Sequence, residues 1–304
     1  MKATQIFSGL AVLLAAMLAA EAVDQARTFG TPEEALKSLS VASSTSDDAA
    51  LQAIFGPDYD KIKDPDPAQA ARDLAVFNAA LAQTNRIVRQ SDTNCIVAIG
   101  TNAWPFPIPL VKQGSQWHFD TAAGKEELLN RRIGANELFT LQVVRTYADA
   151  QRDYASRLHD DSEVQVFSQK LISSPGKHDG LYWPPEEAAP LSPLGPGVAC
   201  AQPRIERGDT NAVAQPFHGY YYKILTRQGK HAPGGKYDYI TKGKMIGGFA
   251  LAAYPAYYGQ TGIMTFLVNQ QGRVYQKDLG PKTASLAAKM KEFDPDSTWQ
   301  PSKD

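Results

Sequence analysis

Hydrophobic and polar positions alternate in four segments of the last third of the chain: His218–Thr226, Ile246–Pro255, Gly262–Asn269 and Arg273–Leu279. Each carries β-branched or aromatic residues and is bounded by Gly, Pro, Asn or Gln, a pattern that predicts an antiparallel sheet. In the first segment, alternation sets Tyr220, Tyr222 and Ile224 on one face and Tyr221, Lys223 and Leu225 on the other, so this strand is expected to be covered on both sides. Gly247-Gly248 suggests a bulge, and Asn269–Gly272 a short hairpin loop. The connection Arg227–Gly243, rich in Gly, Lys and Tyr, is long enough to be either functional or mobile. Strands this short need a helix on one face. Leu138, Leu141, Val144, Tyr147, Ala148, Tyr154, Ala155 and Leu158 follow helical spacing and predict that covering helix over about Asn136–Leu158.

Upstream, Thr31-Pro32-Glu33-Glu34 reads as a capping box opening a helix with Ala35, Leu36, Leu39 and Ala42 inward. Asp47 starts a second helix that Gly56-Pro57 ends, and a third is expected over Ala68–Gln83. Three strands follow, Cys95–Gly100, Phe106–Lys112 and Gln116–Asp120, with Trp117 and Phe119 read as core. Alternate prolines confine Trp104–Pro109 to an edge. Thr121–Arg132 is expected as a separate helix ending before Gly134. The fold class is α+β: two small domains, residues 23–133 and 134–304, each with helices packed on an antiparallel sheet.

The first residues change the setting. Met1–Ala22 has a basic start at Lys2, an apolar run from Leu10 to Leu18, and Ala20-Glu21-Ala22 as a cleavage site, which predicts a secretory signal peptide cut after Ala22. No later apolar run is long enough to span a bilayer, so the mature chain of this 304-residue sequence is expected to be periplasmic or secreted, without a membrane span. The net charge of −1 offers no basic footprint for nucleic acid. Two cysteines, Cys95 and Cys200, would enter an oxidising compartment. A bridge between them would close a loop of about 100 residues and stabilise by up to about 4–5 kcal/mol in the chain-entropy model; spacing does not decide whether it forms.

Candidate chemistry is sparse. His178, Asp179, His218, Lys230 and His231 sit in Gly/Pro-rich loops around the predicted sheet, and His178, Asp179, His218 and His231 are the candidate catalytic residues. Tyr220, Tyr222, Lys230 and Tyr237 are the candidate binding residues, on the premise that their rings are exposed. His178, His218 and His231 lack the short spacing of zinc sites, and no metal or cofactor is expected. His159–Glu163 is acidic but lacks the glycine and ligand periodicity of a calcium loop, so it reads as a surface turn. Ser174 and Lys177 match the S-x-x-K spacing of serine acyl enzymes, yet Pro175-Gly176 between them breaks the helix that chemistry needs.

The stretches WPFPIPLVKQGSQWHFDTAAGKEELLNRRIGANE, SSPGKHDGLYWP, SPLGP, FHGYYYKILTRQGKHAPGGKYDYI and MIGGFALAAYPAYYGQTGIMTFLVNQQGRVYQKDLG resemble the bacterial exported family called domain of unknown function 2950. The resemblance covers nearly the whole mature chain and implies an exported protein without an established activity. At His159–Val166 the chain departs from the more Asp/Gly-rich turn expected there. Helices followed by a meander ending in PLVKQGSQWHFD resemble nuclear-transport-factor-2-like domains, which often carry a pocket. The second half is similar to the globular heads of type II pseudopilins but lacks their membrane-anchoring half-helix. These observations together lead to an expected non-enzymatic protein that binds a small ligand or an envelope partner, or assists envelope assembly. The alternative is a cell-envelope hydrolase with a His/Asp site in the C-terminal domain.

Overall fold

Thr31 and Asp47 start the first two helices by the caps their residue types predict. Thr31 Oγ1 accepts from Glu34 N at 3.1 Å and Asp47 Oδ1 from Ala50 N at 3.0 Å. Glu34 reaches back one residue further than a capping box requires, accepting from Gly30 N at 2.9 Å. The computed structural model describes residues 25–159, 162–185, 190–202 and 215–302. The predicted leader and its cleavage after Ala22 lie outside the described residues. The chain is α+β and divides into two compact units, Met1–Asn130 and Arg131–Asp304.

The first unit holds α1 (Pro32–Ser44), α2 (Asp48–Phe55), α3 (Tyr59–Ile62) and α4 (Pro67–Gln83). Its antiparallel sheet comprises β1 (Asn85–Ser91), β2 (Asn94–Ile99), β3 (Trp104–Pro105), β4 (Leu110–Gln113) and β5 (Gln116–Phe119), in the order β1-β2-β4-β5 with β3 beside β2. The edge strand β1 was not expected: Asn85, Arg86, Arg89, Gln90 and Ser91 are all exposed, so no alternation marks it. Leu39, Ile54 and Phe55 meet Ile99, Leu110, Trp117 and Phe119 in one core, as the burial assigned to Trp117 and Phe119 requires.

The two helices expected around Gly134 are one, α5 (Thr121–Ala155). A Cβ at Gly134 would meet open space, so nothing packs there to end the helix. In the second unit its buried row runs Asn136, Thr140, Val143, Val144, Tyr147, Gln151 and Tyr154, whereas Leu138 is 66% exposed and Leu158 lies beyond the helix end. Polar residues hold core positions because loop backbone must be satisfied there. Asn136 Nδ2 donates to Thr261 O at 3.0 Å, and Gln151 exchanges bonds with Ser168, Nε2 to Ser168 O and Ser168 N to Oε1, both at 2.8 Å.

After α6 (Pro196–Cys200), the second unit continues with β6 (Tyr220–Leu225), β7 (Arg227–Gln228), β8 (Tyr237–Asp238), β9 (Ile240–Thr241) and β10 (Lys244–Met245). Then come β11 (Ala250–Pro255), β12 (Met264–Asn269), β13 (Tyr275–Asp278), α7 (Thr283–Lys289), β14 (Glu292–Phe293) and β15 (Gln300–Pro301). The four predicted segments supply β6, β11, β12 and β13 of the main antiparallel sheet, ordered β15-β13-β12-β11-β6, in which the edge strand β15 was not expected. Helix α5 covers it through Tyr147, whose ring meets Phe249 edge-on and whose hydroxyl donates to Ala250 O at 3.2 Å. Lys223 is buried, with Nζ donating to Ala288 O at 2.8 Å, so β6 is covered on both sides as alternation required.

The connection Arg227–Gly243 carries short strands of its own: β7 pairs with β8 and β14, and β9 pairs with β10. Fully buried Gln228 anchors it, its Nε2 donating to Pro233 O at 2.9 Å and Gly235 O at 2.6 Å, while Tyr239 donates to its Oε1 at 3.1 Å. Both cysteines stand as free thiols, Cys95 buried in the first unit and Cys200 exposed in the second. No helix among the described residues is long and apolar enough to cross a membrane.

Candidate functional site

Two of the candidate binding rings are buried. Tyr220 and Tyr222 are 0% exposed, because the sheet face they occupy lies beneath α5. Tyr220 donates to Met264 O at 2.9 Å, and burial, with Glu137 nearby, pushes its hydroxyl far above the ordinary phenol range. Tyr237 remains exposed, its ring edge-on to Tyr239. Lys230 is exposed, earlier on the loop that Gln228 anchors.

Asp179 does not serve His178. Its carboxylate closes the turn Ser174–Asp179, with Oδ1 accepting from Ser174 N at 2.7 Å and Oδ2 from Ser174 Oγ at 2.9 Å and Lys170 Nζ at 2.5 Å. The lysine that meets Ser174 is therefore Lys170, at 2.8 Å from Oγ, and not Lys177 of the S-x-x-K spacing. Burial pushes the Asp179 carboxyl up, and the Lys170 and Ser174 bonds outweigh it, holding it at about 2. Its folded value lies below the unfolded one, so its stabilisation is complete above about pH 4 and is lost as the pH falls through about 2. Asp179→Asn is expected to flatten the urea stability profile between those limits by at most roughly 2 kcal/mol. An unchanged acid profile would show that the clamp contributes nothing.

His178 instead forms one wall of a cleft. Its ring stacks on Trp183 with centroids 4.5 Å apart, and Trp183 Nε1 donates to Pro190 O at 2.9 Å. The facing wall comes from the end of α5. His159 folds back so that its ring lies flat on Tyr154, centroids 3.7 Å apart, and its Nε2–H donates to Tyr154 O at 2.7 Å, satisfying a helix-terminal carbonyl. Tyr154 in turn donates to His178 O at 3.0 Å, which ties the two walls together. The cleft has a volume of about 160 Å³, with Pro190, Leu191, Pro193 and Leu158 as apolar lining and Asp153 and Arg157 as charged lining. Sequence reasoning grouped His178 with Trp183 but missed Tyr154 and His159 as the facing wall. The only signal was composition: aromatic and imidazole residues flanking a Pro/Gly-rich excursion.

The other two candidate histidines have different neighbours. His218 stacks on Phe139 with ring centroids 3.6 Å apart. His231 is held by a carboxylate 63 residues away: Asp294 Oδ1 accepts from His231 N at 2.8 Å and Oδ2 lies 3.0 Å from Nδ1. Gly229 permits this approach, since a Cβ there would lie 2.3 Å from Asp294 Cγ. Among the described residues no three His, Cys, Asp or Glu side chains form a metal-binding group. Asp160 and Asp161 of the acidic turn lie outside the described residues.

The model of a family described as protein of unknown function (DUF2950) matches residues 26–302. No curated protein and no solved structure matches the chain.

Proposed function

The chain belongs to this family of unknown function, and from the geometry of its second unit we propose that it is an exported, non-enzymatic protein that binds a ligand in the Tyr154–Trp183 cleft. The observation that carries this reading is the pairing of two imidazole-aromatic walls with uncovered apolar side chains. Leu191 is 81% exposed and Leu158 is 62% exposed, both at the cleft. The cleft is concave and sets apolar side chains beside several convergent polar groups, a combination found where small ligands and side chains bind. A cavity of about 150 Å³ suits one benzene-sized group, and this one is of that size. Export rests on the leader read from residues 1–22.

The test is a fragment screen by saturation-transfer NMR, using single aromatic rings and branched aliphatics with the full mature chain. Binders are expected to shift the His159 and His178 imidazole resonances and to lose at least about tenfold in affinity when Leu191→Trp partly fills the cleft. A screen in which no fragment moves either imidazole sinks the reading.

One observation favours a second reading, a cell-envelope hydrolase. With Nδ1–H donated to Asp294, a neutral His231 ring turns the lone pair of Nε2 outward, the arrangement of a general base. His231→Gln is then expected to lower hydrolysis of 4-nitrophenyl acetate by roughly 100-fold, within the range of general-base catalysis. A wild-type rate no greater than that of equimolar free imidazole removes this alternative.

A further inference from the structure

We infer that the cleft recognises an apolar residue bearing a free α-carboxylate, as presented by the C-terminal end of a polypeptide. This rests on the binding reading and specifies its ligand. The polar groups of the cleft divide into those already engaged and those left for a ligand. Trp183 Nε1–H is taken by Pro190 O, and the Tyr154 hydroxyl by His178 O. Neither buried aromatic can donate these hydrogens to a ligand as well. His159 is different. Its Nε2 faces a carbonyl and so must carry the hydrogen, which leaves Nδ1 of the neutral ring as an acceptor.

Arg157 supplies the opposite character. Its side chain is 57% exposed and its ion pair with Asp153 is long, 3.9 Å from Nη2 to Oδ1, so Asp153 does not take up its five donors. The cleft thus offers two acceptors, the His159 ring nitrogen and the Asp153 carboxylate, for a ligand N–H, one planar cationic donor for a carboxylate, and an apolar space for one side chain. An apolar residue with a free terminus carries the complement: an N–H, a carboxylate and a branched or aromatic side chain. Guanidinium and carboxylate pair through two parallel bonds, which an amide cannot reproduce. The side chain would cover Leu158 and Leu191, which otherwise face water. Capture of a C-terminal carboxylate is a recurrent way of recognising peptide ends. A free apolar amino acid shares this chemistry, and the experiment separates the two.

The experiment titrates the full mature chain with acetyl-Ala-Ala-Leu as the free acid, the same tripeptide as the C-terminal amide, and free leucine, read by imidazole shifts and calorimetry. The acid is expected to bind at least about tenfold more tightly than the amide, and Arg157→Gln to erase that difference while Arg157→Lys keeps part of it. Tighter binding of the tripeptide acid than of leucine supports a polypeptide end. Tighter leucine binding overturns that part and assigns the free amino acid. Equal affinity for acid and amide overturns the carboxylate assignment while cleft binding stands, provided the fragment screen succeeds. If neither the peptides nor the fragments move His159 or His178, the binding reading fails with it.

Discussion

Gly180→Ala is expected to cost more than about 3 kcal/mol, at the upper end of what overpacking does. A Cβ at Gly180 would sit 2.4 Å from Ile172 C and from Ser173 N, and 2.7 Å from Ile172 O. These are backbone atoms, so no rotamer change relieves the overlap. Nor can the neighbouring segment move cheaply. Tyr182 N donates to Leu171 O at 2.9 Å, Ser173 N to Tyr182 O at 2.8 Å and Leu181 N to Lys170 O at 3.0 Å. Leu171 and Leu181 are 0% exposed and Trp183 is 3% exposed, so separating the two segments opens the core as well as the ladder. Urea unfolding followed by tryptophan fluorescence measures the loss. A change below about 1 kcal/mol would mean that the pairing yields and that the two segments are not rigidly packed. His178 and Trp183 flank Gly180 in sequence, so the same variant is expected to lose fragment binding in the cleft.

The local features of this fold were legible because local physics fixes them. Side-chain capping marks Thr31 and Asp47, and β-branched and aromatic alternation marks β6, β11, β12 and β13. Failures arose where the surrounding structure, within an element or across the core, outweighed a local rule. Gly134 lowers helix propensity by about 1 kcal/mol relative to Ala, which a 35-residue helix absorbs, so α5 continues where the sequence suggested a break. Asn136, Thr140 and Gln151 look like solvent residues but fill the core row, and Leu138 is left in water. The tyrosine run in β6 looked like a binding surface, yet alternation alone cannot say which face a helix covers. For the site, residue types were visible and pairings were not. His178 meets Trp183 across a turn, Tyr154 belongs to a helix that ends before the Pro/Gly-rich segment begins, and Asp294 is distant from His231 in sequence. Contacts of this kind carry no spacing signature.

Gly219→Ala should be nearly as damaging, about 3 kcal/mol, and for two separable reasons. Phe217 and Tyr220 exchange backbone bonds at 3.0 and 3.2 Å around a two-residue turn. Both central residues have positive φ, +48° at His218 and +72° at Gly219, as a type I′ turn requires. An alanine in that region costs about 1–2 kcal/mol in backbone strain. Its Cβ would also stand 2.6 Å from Thr261 Cβ and 2.8 Å from Asn136 Nδ2, and both neighbours are buried and bonded to each other's segment. The control is His218→Asn. Asn tolerates positive φ, and the change removes the ring stacked on Phe139, an interaction worth about 0.5–1.5 kcal/mol. Its expected cost is therefore about 1 kcal/mol, measured by the same urea titration. Positive φ at a histidine resembles the strain stored at functional sites, but here the hairpin turn and the Phe139 stack account for it. Fragment binding and ester hydrolysis should consequently be unchanged in His218→Asn. Loss of fragment binding in a stably folded His218→Asn chain would move the ligand site away from the Tyr154–Trp183 cleft and towards the β6 turn.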